Sequence, residues 1–213
     1  VKTAKDLIIP FSWEDRRPIL LERFFYVPAK FSYVPEIIPF FQVQKPVMIE
    51  YCSGNGQWIG ERAKQNPHLN WLAVEKKFER ARQIWLLSYR ENLPNLVVAC
   101  SEGLIFTRYY APKAAEIFIN FPDPWPKLRH AKHRIVRREF LNELSKIIDS
   151  GGKATCVTDD PGYAKEMVQQ FQSCPDWKFL FNLNEWPEYG KSFFNDLWKK
   201  RGRKINYLCH EKI

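Results

Sequence analysis

From residue 47 onward, short apolar runs alternate with segments whose apolar residues recur at helical spacing, and few folds accept that pattern. Residues 47–52, 71–75, 96–100, 115–120 and 154–158 each read as a buried strand. Between them, residues 57–65, 78–91, 137–149 and 162–172 read as helices. In 137–149, Phe140, Leu141, Leu144, Ile147 and Ile148 gather on one helical face, and Ser150-Gly151-Gly152 is the expected stop. Residues 179–181 and 205–209 are the expected closing strands. Continuous apolar strands joined by helices require a sheet covered on both faces, so the expected fold is α/β, with a mostly parallel, doubly wound sheet.

A chain of 213 residues suits one such domain, expected over 46–213. Residues 1–45 are rich in aromatics and proline without a clear period, and are expected to form an arm or lid. No apolar run approaches the roughly 18 residues of a membrane span, and the first residues show no leader pattern. The five cysteines are scattered without a CxxC pair, which fits buried thiols in a reducing cytoplasm and argues against zinc or any other metal.

The net charge of +9 is local. Residues 127–138 hold six Lys/Arg and residues 199–204 hold five, with no acid in either stretch; taking these eleven charges from +9 leaves −2 for the rest. Two basic patches on a near-neutral body form the electrostatic footprint of a polyanion's partner, and eight tryptophans with nine tyrosines offer stacking surfaces, so nucleic acid ranks above an acidic protein face.

Between the fourth strand and the first basic patch lies Phe121-Pro122-Asp123-Pro124-Trp125-Pro126-Lys127. Each proline fixes its own φ and is expected to push Phe121, Asp123 and Trp125 towards extended backbone. That would hold one carboxylate and one indole beside a dense cationic segment. A carboxylate accepts hydrogen bonds from a base edge, an indole stacks on its face, and cations hold phosphate; Trp125 serves equally well as a packing residue.

Three more carboxylates fall where such sheets bind ligands, beyond the carboxyl ends of the strands. Glu50 precedes the turn Cys52-Ser53-Gly54-Asn55-Gly56, whose glycines are expected to let backbone approach a ligand. Glu75 ends the second strand about 25 residues later, a spacing suited to holding two ribose hydroxyls. Glu102 follows the third strand and could face an adenine edge. The G-x-G-x-x-G pattern of pyrophosphate binders is broken here, because Gly60 is misplaced after Gly54-Asn55-Gly56. An adenosine-bearing cofactor without phosphate fits better, and S-adenosylmethionine is the candidate.

From about residue 47 to the end, the chain resembles the bacterial tRNA (guanine-N7)-methyltransferase family. The resemblance is carried by Asp123-Pro124-Trp125-Pro126-Lys127 with Arg129-His130 and Lys132 to Arg134, by the Glu-x-x-x-Gly-x-Gly turn at Glu50, by Glu75, and by Thr158-Asp159. It implies a Rossmann-like class I methyltransferase fold with an antiparallel last strand, and methyl transfer from S-adenosylmethionine to N7 of a guanine in tRNA. By the same resemblance Glu50, Gly54, Gly56, Glu75, Glu102 and Asp123 would line the cofactor site. Asp123 would also face the guanine as the catalytic residue. Lys127 and Asp159 would contact substrate, Arg129, His130, Lys132, His133 and Arg134 would lie on the RNA, and Ser192 and Asn195 would hold the base. The chain departs from the family at Cys52 (usually Gly), Glu102 (usually Asp), Ser192 (usually Thr) and Asn195 (usually Glu). Those departures keep open an RNA-binding protein with reduced catalysis, or a methyltransferase acting on another nucleic acid or a protein amine. The expected assembly is a monomer or weak homodimer, with no membrane and no metal.

Overall fold

The computed structural model of the chain describes residues 2–9, 16–32, 37–190 and 192–213. Two compact units, residues 1–112 and 113–213, divide it.

In the first unit the strands are β1 (Ile19–Leu21), β2 (Phe24–Tyr26), β3 (Val47–Tyr51), β4 (Asn70–Glu75) and β5 (Leu96–Cys100), in the order β1-β2-β5-β4-β3. All pairs are parallel except β1 with β2. Every residue of β4 and β5 is buried, as the apolar runs 71–74 and 96–100 within them require. The helices are α1 (Gln57–Gln65), α2 (Phe78–Arg90) and α3 (Gly103–Tyr109). Part of the segment expected as an arm is built into this unit. Phe24 and Phe25 on β2 are fully buried, and the Phe25 ring makes edge contacts with Phe40, Phe106 and Tyr110. Residues 1, 10–15 and 33–36 of that segment lie outside the described residues.

The second unit holds β6 (Ala114–Asn120), α4 (Arg138–Ile147), β7 (Ile148–Thr158), α5 (Pro161–Gln172), β8 (Trp177–Leu183), α6 (Phe193–Lys200) and β9 (Asn206–Lys212). Its strand order is β6-β7-β9-β8. β6 and β7 are parallel, and the last strand, β9, runs antiparallel to both neighbours. Strands and helices together make the Rossmann-like α/β fold with a reversed last strand. No helix among the described residues is long and apolar enough to cross a membrane.

One boundary differs from expectation. The helix over 137–149 ends at Ile147, and Ser150-Gly151-Gly152 sits inside β7 rather than stopping a helix. Ile148 already pairs with Ala114, and the register then jumps so that Glu116 pairs with Lys153. The glycines make this bulge possible: Gly151 has φ +80, and a Cβ on Gly152 would lie 2.8 Å from the Ala115 carbonyl oxygen.

The core of this unit carries a titratable group. His210 on β9 is fully buried, stacks on Phe171 at 3.7 Å and meets Phe179 edge-on. Neither ring nitrogen has a hydrogen-bond partner among the described residues, and burial lowers its pKa from 6.5 to about 4. The unfolded chain therefore binds a proton that the folded chain refuses between about pH 6.5 and 4. This contribution to stability is intact above pH 6.5 and is lost as pH falls towards 4, by up to about 3 kcal/mol. Replacing His210 by Phe keeps the stacking and removes both nitrogens. The stability of the wild type relative to His210→Phe, from denaturant unfolding, should fall as pH drops from 7 to 4; a flat difference would exclude the buried imidazole as its source.

Candidate active site

Each unit carries one group of the expected residues. In the first, β3 delivers Glu50, 1% exposed, to the turn before α1. Three residues in that turn adopt left-handed backbone: Cys52 (φ 62), Gly54 (φ 57) and Gly56 (φ 79). Cys52 therefore sits in the conformation for which glycine is the natural occupant. Packing also requires glycine at position 56, because a Cβ there would lie 2.7 Å from Ile84 Cγ1 on α2. Glu75, 5% exposed at the end of β4, accepts hydrogen bonds from the Gly54 N–H at 3.0 Å and the Lys77 N–H at 2.8 Å. The carboxylate thus ties the glycine turn to the end of β4. Glu102 is exposed at the N-cap of α3. Cys100 is an inert thiol, pushed up to about 12 by burial and then by the charges of Glu75 and Glu79.

These residues suit a phosphate-free cofactor. The Gly54 N–H, which a phosphate would use, is already taken by Glu75, and the acids around the turn would repel an anion. A carboxylate with both oxygens fixed by N–H groups keeps lone pairs for hydroxyl donors.

In the second unit, β6 ends at Asn120 and Phe121 begins the proline-rich loop. Contrary to the extended backbone expected before proline, Phe121 has φ 46 and Trp125 has φ 42. Each such non-glycine conformation costs about 1–3 kcal/mol and needs outside support. The Phe121 N–H donates to the Val157 carbonyl at 2.8 Å, and its ring lies 6.0 Å from that of Phe194 on α6. Arg134 holds the carbonyls of Pro124 and Trp125. Tertiary anchors therefore override the local rule. Asp123, between the two strained residues, is exposed and makes no hydrogen bond or ion pair among the described residues.

The expected RNA contacts divide. Lys127, Arg129 and Lys132 are exposed, and their side chains have no ion pair among the described residues. His130 and His133 pack against Trp125, with ring centres 5.8 and 5.2 Å from the indole. The indole is thus a packing residue as well as a candidate stacking surface. Arg134 points inward, its side chain 11% exposed.

The remaining candidates are also engaged internally. Asp159, after β7, is paired with Arg203, whose guanidinium lies 4.2 Å from the Trp198 ring centre. Both residues line a cavity of about 530 Å³ with Asp160, Pro161, Asn184, Lys204 and Asn206. Ser192 caps α6 by accepting from the Asn195 N–H at 3.1 Å. Asn195 is 6% exposed, and its amide donates to the Tyr207 hydroxyl. The Ser192 side chain therefore builds the start of α6, and that of Asn195 ties α6 to β9. Among the described residues no cluster of His, Cys, Asp or Glu could hold a metal ion.

Residues 44–211 match the family model described as "Putative methyltransferase". The tRNA (guanine-N(7)-)-methyltransferase of Chlamydia muridarum is 38% identical, covering 98% of this chain and 96% of that protein. The enzyme of the same name from Chlamydia caviae is 35% identical, covering 95% of each. Among solved structures, the 16S rRNA methyltransferase KamB superposes with a TM-score of 0.58 at 15% identity, covering 79% of this chain and 89% of that one, a likeness of fold alone. With a family match over most of its length and relatives of this identity along the whole of it, the chain belongs to the tRNA (guanine-N7)-methyltransferase family.

Proposed function

We propose that the chain methylates N7 of a guanine in tRNA, with S-adenosylmethionine as donor. The observation that carries this reading is Asp123: an exposed carboxylate without a hydrogen bond or ion pair among the described residues, on a strained and anchored loop, followed by three exposed cations that also lack ion pairs among those residues. Relatives bearing the name of this activity along the full length supply the substrate class.

Guanine N7 carries an in-plane lone pair and no proton, so the protein needs no general base. Its task is orientation, which can contribute about 7–11 kcal/mol towards a barrier. Asp123 accepts from the N1–H and N2–H edge and complements the positive charge that the base acquires. Lys127, Arg129 and Lys132 hold phosphates. Glu75 holds the ribose hydroxyls of the cofactor, with Glu50, Glu102 and the Gly54–Gly56 turn around the rest. When bound, S-adenosylmethionine supplies an electrophilic methyl group on a sulfonium. The test is mass spectrometry of bulk tRNA incubated with protein and donor: N7-methylguanosine should accumulate, and its absence would reject the reading.

Glu75→Gln should weaken cofactor binding by roughly 1–3 kcal/mol, the scale of a hydrogen bond to a charged group. The amide keeps one acceptor but turns an NH₂ towards a backbone N–H that the carboxylate now satisfies. Unchanged affinity by calorimetry would remove Glu75 from the site.

A further inference from the structure

Arg134 stands in a run of cations, yet it is the member least available to a polyanion. Its Nε donates to the Pro124 carbonyl at 2.6 Å, Nη2 donates to the Trp125 carbonyl at 3.1 Å, and Nη1 is paired with Glu166 on α5. The guanidinium lies 5.2 Å from the ring centre of Tyr163, one helical turn before Glu166 on the same face of α5. The Tyr163 hydroxyl in turn accepts from the Val136 N–H at 3.3 Å. All three guanidinium nitrogens are thus used inside the protein, and two of them grip consecutive carbonyls just after Asp123. One of those carbonyls belongs to Trp125, whose left-handed backbone needs external support.

We propose that Arg134 and Glu166 form an internal clamp that positions the Asp123 loop for methyl transfer, and that Arg134 is not a phosphate contact. Arg134 is a positioning residue: it acts through the backbone of the two residues that follow the loop's carboxylate. Glu166 fixes the direction of the guanidinium plane, so that Nε and Nη2 reach the two carbonyls together. Lysine cannot replace this fork, because a single ammonium cannot reach two carbonyls and a carboxylate with the same geometry. Glu166, through its ion pair with Arg134, becomes a determinant of rate. This inference rests on the proposed role of Asp123.

The clamp and the phosphate contact predict opposite kinetics. Glu166→Gln removes a negative charge, so it should leave tRNA affinity unchanged or slightly tighter while lowering kcat about tenfold or more. Arg134→Lys should lower kcat similarly, with tRNA affinity within about threefold and the slope of log affinity against log salt unchanged. Arg134→Gln, used only for the slope, removes the charge: a phosphate contact would then reduce the slope by about one and weaken binding uniformly, whereas the clamp leaves the slope unchanged. Combined, Glu166→Gln and Arg134→Lys should cost no more in kcat than Arg134→Lys alone. Hydrogen exchange of the amides over 121–127 supplies a readout independent of activity, and both variants should exchange faster there than the wild type. If the wild type forms no N7-methylguanosine, the exchange comparison still tests the clamp, and the failure belongs to the functional reading. Full kcat in Arg134→Lys, a flattened salt slope in Arg134→Gln, or unaltered loop exchange in both Glu166→Gln and Arg134→Lys would overturn the clamp.

Discussion

Asp123→Asn should lower the rate of N7 methylation at saturating tRNA and donor by at least about 100-fold, while the thermal midpoint stays within a few degrees. The size follows from removing one preorganised electrostatic contact at the point where charge develops. Asparagine keeps the shape but carries no charge, and it can turn an N–H towards the N–H edge of the guanine. The stability half of the expectation comes from the structure: Asp123 is exposed and makes no hydrogen bond or ion pair among the described residues. The loop is held instead by Phe121 and by Arg134, neither of which uses the Asp123 side chain. Near wild-type methylation by this variant would make Asp123 an ordinary loop residue and would remove the mechanism proposed for it. A large fall in the thermal midpoint would show that the carboxylate serves the fold.

The elements that were legible in the sequence are those whose pattern is local and long. The strand expected over 96–100 is β5 residue for residue, because a continuous apolar run has only one way to be buried in a parallel sheet. α2 was legible through its apolar spacing, and α5, expected over 162–172, begins at Pro161, where the Asp160 carboxylate accepts from the Tyr163 N–H at 2.8 Å. α3 and α6 were missed, being seven and eight residues long and too short to repeat an apolar face convincingly. β1 and β2, at three residues each, carry no period at all. In the candidate site, residue types were readable and directions were not. The rule for residues before proline describes an isolated chain, and Phe121 and Trp125 obey contacts made to Val157 and Arg134 instead. Arg134 looks like its cationic neighbours until Glu166, distant in the chain, turns it inward. Asn195 is committed to Tyr207 by the packing of α6, which a motif comparison with the family's glutamate cannot reveal.

That division of the cations sets the second large effect. Arg129→Glu combined with Lys132→Glu should weaken tRNA binding by at least about 100-fold and leave S-adenosylmethionine affinity unchanged. Both side chains are exposed and have no ion pair among the described residues, so reversing them breaks no internal contact. Each loses a charge-assisted contact of about 1.5–3 kcal/mol and adds repulsion, which for two residues exceeds a hundredfold. Arg134 is deliberately left intact, because its loss would disturb the Asp123 loop and confuse rate with affinity. In the wild type, log affinity should fall linearly with log salt, since every neutralised phosphate releases counterions. The double variant should show a shallower slope, with the lost steepness corresponding to the two contacts removed. Filter binding across a salt series gives both quantities at once. An affinity that ignores salt in the wild type, or that survives both reversals, would mean that tRNA is held elsewhere on the chain and that this basic segment is only a solvated face.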